Sequence, residues 1–265
     1  MERFKNKTIA ITGGASGLGL EASKKFLIEG GNVVVLDVDL KSLKDIKKNF
    51  EFKKYNNELI GIKCDVSKED EVEKSFEKIV SIFKKIDILH ANAGIGSKPC
   101  EITEIKLEEW NKIISVNLTG IFLSSKYALK QMVKQKYGNI VITGSNWAYV
   151  CDEGYAGYVA SKGGVVAFGR AMALEYAKYN IRTNIICPGN MYTPQLINSL
   201  KDEKNPEEIL NKMGKISKPE DVANLVLFLA SEDSSPLKGS VIMADQGETL
   251  QYGPGLKSML DKGFL

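Results

Sequence analysis

Tyr158 and Lys162 lie four residues apart, in a stretch whose composition predicts a helix. At this spacing two side chains share one helix face, one turn apart, so the phenol and the ammonium group can act together. An unperturbed tyrosine has a pKa of about 10, and a neighbouring cation favours its phenolate. Tyr158 is therefore a candidate for exchanging a proton with a bound substrate, as general base in one direction and general acid in the other.

Ser145 is a second candidate catalytic residue, because its hydroxyl group follows an apolar, strand-like run and precedes Tyr158 by 13 residues. A hydroxyl group in that place would orient a substrate oxygen and stabilise the charge that develops on it. The one histidine, His90, ends another apolar run, where we expect a core residue without a catalytic role. A single histidine excludes zinc sites with two or three histidine ligands, and we expect no metal.

These residues belong to a regular alternation of short runs rich in β-branched residues with longer amphipathic segments. The predicted strands are Thr8–Thr12, Asn32–Asp37, Leu59–Asp65, Ile86–Ala91, Asn139–Thr143, Arg182–Cys187 and Ser240–Ala244. The predicted helices are Leu18–Glu29, Leu40–Asn49, Lys68–Phe83, Leu107–Val133, Tyr155–Tyr179 and Pro219–Ala230. We therefore predict a single-domain α/β protein with a doubly wound, seven-stranded parallel sheet and helices on both faces, which is a Rossmann fold. Such sheets bind their ligands at the carboxyl ends of the strands.

A glycine-rich turn connects the first predicted strand to the first predicted helix. Its glycines lack β-carbons, so the backbone can approach a pyrophosphate, and the helix N-terminus adds free N–H groups and a partial positive charge. Glycines also make ordinary turns, but here a strand precedes the turn, a helix follows it, and a second strand ends in an acid. We therefore predict that a dinucleotide binds to Gly13, Ser16, Gly17, Leu18 and Gly19.

The acid is Asp37, at the end of the second predicted strand. Its carboxylate can accept hydrogen bonds from both hydroxyl groups of an adenosine ribose, and it would repel a ribose phosphate. The glycine-rich turn contains neither arginine nor lysine, and Val38 follows the acid. We therefore predict NAD as the cofactor, in preference to NADP.

The order and spacing of these motifs resemble the short-chain dehydrogenase/reductase family over about residues 5–247. The glycine-rich turn has the spacing T-G-x-x-x-G-x-G, and the interval between Ser145 and Tyr158 matches that of the family. The chain departs from the family pattern at three positions. Ala91 replaces a usual asparagine, Gly144 stands where paired serines are common, and Gln246 interrupts the common D-G-G. We expect these departures to leave the chemistry intact.

The resemblance implies roles for further residues. Adenine would contact Asp65 and Val66, the N-A-G motif would be Asn92, Ala93 and Gly94 beside the cofactor, and the nicotinamide would contact Pro188, Gly189, Met191 and Thr193. Lys162 would also bind the nicotinamide ribose next to Tyr158, and the cationic nicotinamide would favour the phenolate. Asn117 would hold a water molecule in a proton relay, although the residue by itself suggests only a polar group that bends a helix. The helices containing Asn117 and Tyr158 would form the interface of a homodimer, usually within a homotetramer.

The activity that the resemblance implies is hydride transfer between nicotinamide and a secondary alcohol or ketone. The rings of Trp147 and Tyr155, between Ser145 and Tyr158, would suit a sugar, a polyol or a cyclic alcohol, although such rings also pack on their own loop. Residues 94–97 and 191–200 are possible lids over this pocket. The alternatives are an enzyme resembling 3-oxoacyl-thioester reductases and a non-catalytic NAD-binding regulator on the same fold.

Composition limits the partners and the location of the protein. The formal net charge of the 265 residues is +3, with lysines interspersed among acids, so we expect no nucleic-acid binding. We recognise neither a secretory leader nor a membrane span, and the four cysteines form no C-x-x-C pair, so we expect a cytoplasmic protein with free thiols. The C-terminal tail, residues 248–265, is expected either to cross to a neighbouring subunit or to fray.

Overall fold

The computed structural model describes residues 2–49, 57–201, 204–213 and 216–250. The strands are β1 (Thr8–Thr12), β2 (Asn32–Asp37), β3 (Leu59–Lys63), β4 (Ile88–Ala91), β5 (Gly138–Thr143), β6 (Ile181–Pro188) and β7 (Val241–Ala244). The helices are α1 (Gly17–Ile28), α2 (Leu40–Asn49), α3 (Glu69–Phe83), α4 (Leu107–Ile114), α5 (Gly120–Gln135), α6 (Ala156–Tyr176), α7 (Pro194–Ser199), α8 (Pro206–Lys212) and α9 (Pro219–Ala230). The third strand is shorter than predicted, because the Asp65 carboxylate accepts a hydrogen bond from the N–H of Ser67 and starts the turn before α3.

All seven strands pair in parallel, in the order β3-β2-β1-β4-β5-β6-β7. The chain builds outward from β1 to β3 and then returns to place β4 on the other side of β1. This reversal leaves a crevice beyond the carboxyl ends of β1 and β4, where ligands of doubly wound sheets bind. The arrangement confirms the predicted single-domain Rossmann fold and places the predicted site residues at one edge of the sheet.

Apolar cores cover both faces of the sheet. Along β1, Ala10 belongs to the core that includes Phe76 of α3, whereas Ile9 and Ile11 belong to the core that includes Phe26 of α1. All five side chains are almost completely buried. Because successive residues of a strand point to opposite faces, a strand covered on both sides must be apolar throughout, which explains the continuous apolar runs.

The long predicted helix Leu107–Val133 is interrupted. Helix α4 ends at Ile114, a π-helical turn spans Ser115–Thr119, and α5 starts at Gly120. The turn contains Asn117, which is completely buried. Such turns displace one residue from the regular α-helical ladder and often occur at functional sites. The buried polar residue therefore lies at an irregularity of the helix.

Two short helices that the sequence analysis did not predict, α7 and α8, lie between β6 and α9. Each begins with a proline at its first turn, where the missing N–H costs nothing. Among the described residues, no helix is both long and apolar enough to cross a membrane. Of the predicted C-terminal tail, Glu248–Leu250 forms a short 3₁₀ turn, and residues 251–265 lie outside the described part of the chain.

Candidate active site

The glycine-rich turn between β1 and α1 lies at the crevice. Gly13 has a φ of +62°, and a β-carbon there would lie 2.9 Å from the Cα of Ala93. A β-carbon on Gly19 would lie 2.2 Å from the carbonyl oxygen of Gly13, so the turn excludes a side chain at this position. Helix α1 starts directly after Ser16, which brings its first N–H groups to the crevice. The predicted phosphate-binding residues Gly13, Ser16, Gly17, Leu18 and Gly19 thus form one backbone cradle, which fits a pyrophosphate.

Asp37 ends β2 beside this cradle. Its Oδ2 accepts a hydrogen bond from the N–H of Ala15 (3.1 Å), and its Oδ1 accepts one from the N–H of Asp39 (3.0 Å). Each carboxylate oxygen has a further lone pair, so both can accept another hydrogen bond. The carboxylate is therefore fixed at the rim of the crevice, in a position that fits a diol such as ribose.

The predicted adenine-contacting pair follows β3. The Asp65 carboxylate accepts hydrogen bonds from both the N–H and the hydroxyl group of Ser67, at 3.0 and 2.7 Å. Val66 is buried and lies against Gly120 at the start of α5. The two residues therefore shape the far wall of the crevice, with the acid side chain holding its own turn.

Asn92 and Ala93 connect β4 to the glycine-rich turn. The Thr12 hydroxyl accepts hydrogen bonds from the N–H groups of Asn92 and Ala93, at 3.0 and 3.1 Å. The Asn92 amide donates to the carbonyl oxygens of Thr12 and Gly13, at 3.1 and 3.2 Å. The Asn92 side chain thus keeps the two segments together at the point where a dinucleotide would cross the sheet.

This network extends inward to His90. The Thr143 hydroxyl donates to Oδ1 of Asn92 (3.1 Å) and also contacts Nε2 of His90 (3.0 Å). Because the Thr143 hydroxyl group uses its one hydrogen on Asn92, it must accept from His90, whose proton is therefore on Nε2. Burial lowers the pKa of His90 to about 3, so the ring is neutral. His90 is a core residue, as expected, and its Nδ1 is buried without a hydrogen-bond partner.

Ser145 follows β5 and begins a short 3₁₀ turn. Its Oγ accepts a hydrogen bond from the N–H of Trp147 (3.2 Å) and donates to Oδ1 of Asn146 (3.3 Å). The Ser145 hydroxyl also lies beside the Tyr158 phenol. Burial raises the pKa of Tyr158, and the neighbouring Ser145 hydroxyl lowers it only in part. The two hydroxyl groups therefore meet, as the chemistry inferred from the sequence requires.

Lys162 lies one turn after Tyr158 on α6, and its side chain is buried. Its Nζ donates to the carbonyl oxygen of Thr143 (3.1 Å) and lies 5.8 Å from the centroid of the Tyr158 ring. Burial lowers the pKa of Lys162 to about 8. The raised pKa of Tyr158 differs from the sequence-based expectation, because desolvation of the phenol disfavours its anion more than the Ser145 hydroxyl favours it.

Asn117 holds the loop that follows β4. Its Oδ1 accepts from the N–H of Ile95 (2.8 Å), and its Nδ2 donates to the carbonyl oxygen of Ile95 (3.0 Å) and to Oγ of Ser161 (3.2 Å). Both amide hydrogens of Asn117 are thus engaged. A water molecule bound to this residue would therefore donate a hydrogen bond to one of its oxygen atoms. A β-carbon on Gly94 would lie 3.4 Å from Oδ1 of Asn117 and 3.6 Å from Nζ of Lys162, so the three residues are neighbours.

Trp147 forms an aromatic wall beside the candidate catalytic residues. Its ring makes edge-to-face contacts with the ring of Tyr155, at 4.7 Å between centroids, and with that of Tyr158, at 5.7 Å. Trp147 and Tyr155 are only partly buried, so part of the wall faces the crevice. The rings therefore pack on one another, and their contact with a substrate stays a prediction.

The segment after β6 closes the other side of the crevice. Pro188 ends β6, the N–H of Gly189 donates to the carbonyl oxygen of Ala244, and Met191 pairs with Ser217 in an isolated parallel bridge. The Thr193 hydroxyl caps α7, and its methyl group would lie 3.2 Å from a β-carbon on Gly17. Thr193 therefore reaches the glycine-rich turn and spans the crevice. We call residues 191–200 the lid segment; the other predicted lid, residues 94–97, meets it where Gly96 faces Gln195.

Several residues at this edge were not identified from the sequence. Thr12 and Thr143 connect the strands through Asn92, and Asn146 connects Ser145 to Glu248, whose Oε2 accepts from Nδ2 of Asn146 (3.0 Å). Thr12 and Thr143 each end a buried strand, and a polar residue at the carboxyl end of a strand is a signal that could have identified them. For Glu248, the sequence contains no such signal.

Comparison with known proteins agrees with this geometry. Residues 7–204 match the family model described as short chain dehydrogenase. The chain is 34% identical over 258 residues to levodione reductase of Leifsonia aquatica, with 94% of this chain and 97% of the relative covered. It is also 34% identical over 247 residues to the 3-oxoacyl-[acyl-carrier-protein] reductase FabG of Thermotoga maritima, with 92% and 98% covered. The crystal structure of levodione reductase matches with a TM-score of 0.90 at 32% identity, covering 94% of this chain and 100% of that chain. The chain therefore belongs to the short-chain dehydrogenase/reductase family of oxidoreductases.

Proposed function

We propose that this protein is an NAD-dependent oxidoreductase that transfers a hydride between nicotinamide and a secondary alcohol or ketone. The observation that supports this best is the meeting of three groups at one edge of the sheet. The Tyr158 phenol contacts the Ser145 hydroxyl, and the Lys162 ammonium group lies beside the phenol ring. The Trp147 wall next to them favours a sugar, a polyol or a cyclic alcohol as the substrate.

Each of the three groups has a distinct role in this proposal. The bound nicotinamide supplies the hydride in reduction and accepts it in oxidation. Tyr158 removes the hydroxyl proton of an alcohol and returns it to the oxygen of a ketone. Ser145 holds that oxygen next to the phenol, and the buried charge of Lys162 stabilises the phenolate when Tyr158 has given up its proton. Asn117 acts through the loop that it positions, next to Lys162.

Asp37 supports NAD as the cofactor. Its carboxylate stands at the rim of the backbone cradle, held by two N–H groups. A phosphate group on the ribose would carry about two negative charges into this place, whereas two ribose hydroxyl groups could donate to the carboxylate oxygens. Met191 and Thr193 of the lid segment are proposed to bind the nicotinamide carboxamide.

We also propose that the protein is a homodimer or homotetramer in the cytoplasm. Leu107 of α4 and Leu174 of α6 are 70% and 84% exposed, and Phe122 of α5 is also exposed. A mostly apolar groove of about 540 Å³ lies between α4 and α6, lined by Ile102, Ile105, Leu107, Trp110, Ala156 and Ala160. A second copy would cover these surfaces by packing the same helices against them. Light scattering should give a multiple of the chain mass, and Leu174→Lys should lower the measured mass. The four free cysteines support the proposed location in the cytoplasm, where thiols stay reduced.

The test of the activity is the absorbance of reduced nicotinamide during incubation with a panel of substrates. The panel contains polyols, sugars, cyclic alcohols, hydroxysteroids and 3-hydroxyacyl thioesters, with NAD or NADP. Turnover confined to the thioesters would favour the thioester reductase activity for which the Thermotoga maritima relative is named. No turnover with any compound, in protein that binds NAD, would favour a non-catalytic regulator.

Tyr158→Phe separates catalysis from binding. The variant keeps the ring that packs on Trp147 and loses only the phenol oxygen. We expect turnover to fall by at least about a hundredfold, the usual contribution of a positioned acid or base. The affinity for NAD, measured by calorimetry, should stay within about threefold of the native value. Native turnover in Tyr158→Phe would remove Tyr158 from its proposed role.

A further inference from the structure

Asn146, directly after Ser145, has a fixed orientation. Its side chain is only 2% exposed. Its Nδ2 donates to Oε2 of Glu248 (3.0 Å), and its Oδ1 accepts from Oγ of Ser145 (3.3 Å). An ionised carboxylate only accepts hydrogen bonds, so Glu248 selects the amide orientation in which the N–H₂ group faces it and the oxygen faces Ser145. A chain of hydrogen bonds therefore links the candidate catalytic hydroxyl to a carboxylate.

Glu248 lies at the mouth of the crevice. It follows β7, and its Oε2 would lie 2.8 Å from a β-carbon on Gly189, at the start of the segment that leads into the lid. Within the described part of the chain, Asn146 is the one hydrogen-bond partner of the Glu248 carboxylate, and much of the side chain is exposed. Its second carboxylate oxygen, Oε1, is therefore available to a ligand that enters beside Ser145.

The charge at this place is negative. The charged group that acts on Glu248 is another acid, Asp245. Burial and Asp245 raise the pKa of Glu248, whereas the hydrogen bond from Asn146 lowers it. The cation of the site, Lys162, is buried, and its Nζ donates to the carbonyl oxygen of Thr143, on the strand before Ser145. Among the described residues, Glu248 forms no ion pair that would neutralise it.

We propose that Glu248, held by Asn146, determines substrate specificity by selecting neutral, hydroxylated substrates over those with a carboxylate or phosphate next to the reacting carbon. This inference rests on the proposed function, because it places the reacting oxygen between Ser145 and Tyr158. The Asn146 amide and its two hydrogen bonds, of 3.3 and 3.0 Å, separate Ser145 from Glu248, so we expect the carboxylate to face a substituent close to the reacting carbon. A hydroxyl group there can donate to Oε1, whereas an anion meets a like charge in a partly desolvated site.

The test uses two compounds that differ in one group. They are 2-(hydroxymethyl)cyclohexanol and 2-hydroxycyclohexanecarboxylate, which share a ring and a secondary hydroxyl group. Dissociation constants are measured by calorimetry at about pH 8, with the protein loaded with reduced NAD, which has no capacity to accept a hydride from an alcohol. We expect the native protein to bind the diol at least about tenfold more tightly than the carboxylate.

The variant Glu248→Gln should bring this ratio below about threefold, mainly through tighter binding of the carboxylate. The matched control is Glu77→Gln, which makes the same charge change on the exposed surface of α3 and should keep the native ratio. Equal affinities in the native protein, an unchanged ratio in Glu248→Gln, or no measurable binding of the diol would each overturn the inference. Turnover of the diol with oxidised NAD is measured in parallel. Its absence alongside the expected ratio, together with no turnover across the wider substrate panel, would refute the oxidoreductase activity and leave the selectivity of Glu248 established.

Discussion

Replacing Lys162 by methionine removes a buried ammonium group and keeps an unbranched side chain that fills the same space. The pKa of Lys162 is about 8 in the folded protein, against the ordinary 10.5 that applies to the unfolded chain. Between these two values the unfolded state binds a proton that the folded state does not, so the stability of the native protein rises with pH. Each pH unit contributes about 1.4 kcal/mol, and the whole interval contributes about 3 kcal/mol. The Lys162→Met variant lacks this dependence.

The assay is urea unfolding at fixed protein concentration, without added nucleotide, at several pH values from about 7 to about 10. The stability of Lys162→Met relative to the native protein should fall by about 1.4 kcal/mol per pH unit above pH 8. Other titrations are common to both proteins and cancel in the difference. Lys134→Met, which removes an exposed lysine of α5, is the control and should give a curve parallel to the native one. A parallel curve for Lys162→Met would mean that burial does not desolvate the ammonium group, and the reasoning would fail.

Three further predictions concern the cofactor site and the lid segment. Asp37→Asn should lower kcat/KM with NAD and raise it with NADP, each by about tenfold, and equal use of both cofactors by the native enzyme would contradict the assigned role. Gly19→Ala brings a methyl group within 2.2 Å of a carbonyl oxygen of the turn and should weaken NAD binding at least about tenfold in calorimetry. Its control, Gly163→Ala, meets no atom within 4 Å and should keep the native affinity. Gln246→Gly loses the hydrogen bond to Ser217 (3.0 Å), the residue that pairs with Met191. Limited proteolysis should therefore cut residues 191–200 faster, while unfolding stability changes by less than about 1 kcal/mol. Native proteolysis rates would show that Gln246 does not restrain the lid segment.

The strands could be predicted because a parallel strand buried on both faces leaves a simple trace, a short apolar run such as Val33–Leu36. The relation between Tyr158 and Lys162 could be predicted for a similar reason, since helix periodicity alone fixes which residues share a face. The meeting of these residues with Ser145 also follows from the topology, because parallel strands bring their carboxyl ends to one edge. Local patterns therefore determine much of the placement of the candidate site.

Other features depend on contacts between distant parts of the chain. The hydrogen bonds of Thr12 and Thr143 to Asn92 require the register of three strands, which a sequence pattern does not specify. The raised pKa of Tyr158 depends on how completely the folded chain excludes water from the phenol. The π-helical turn at Asn117 depends on pairing with Ile95, which belongs to another loop. In each case the decisive partner is far away in sequence.

Two of the three departures from the family pattern, Gly144 and Gln246, have explanations of the same kind. A β-carbon on Gly144 would lie 3.0 Å from Sγ of Cys187 and 3.1 Å from the carbonyl oxygen of Ile186, so the bulk of Cys187 on β6 occupies space that a serine would need. Gln246 has a φ of +55°, a left-handed conformation that costs about 1 kcal/mol for a residue other than glycine. Its amide donates to the Ser217 hydroxyl, which offsets a cost of that size. At these two positions a contact with a residue distant in sequence, Cys187 or Ser217, therefore accounts for the residue that this chain has.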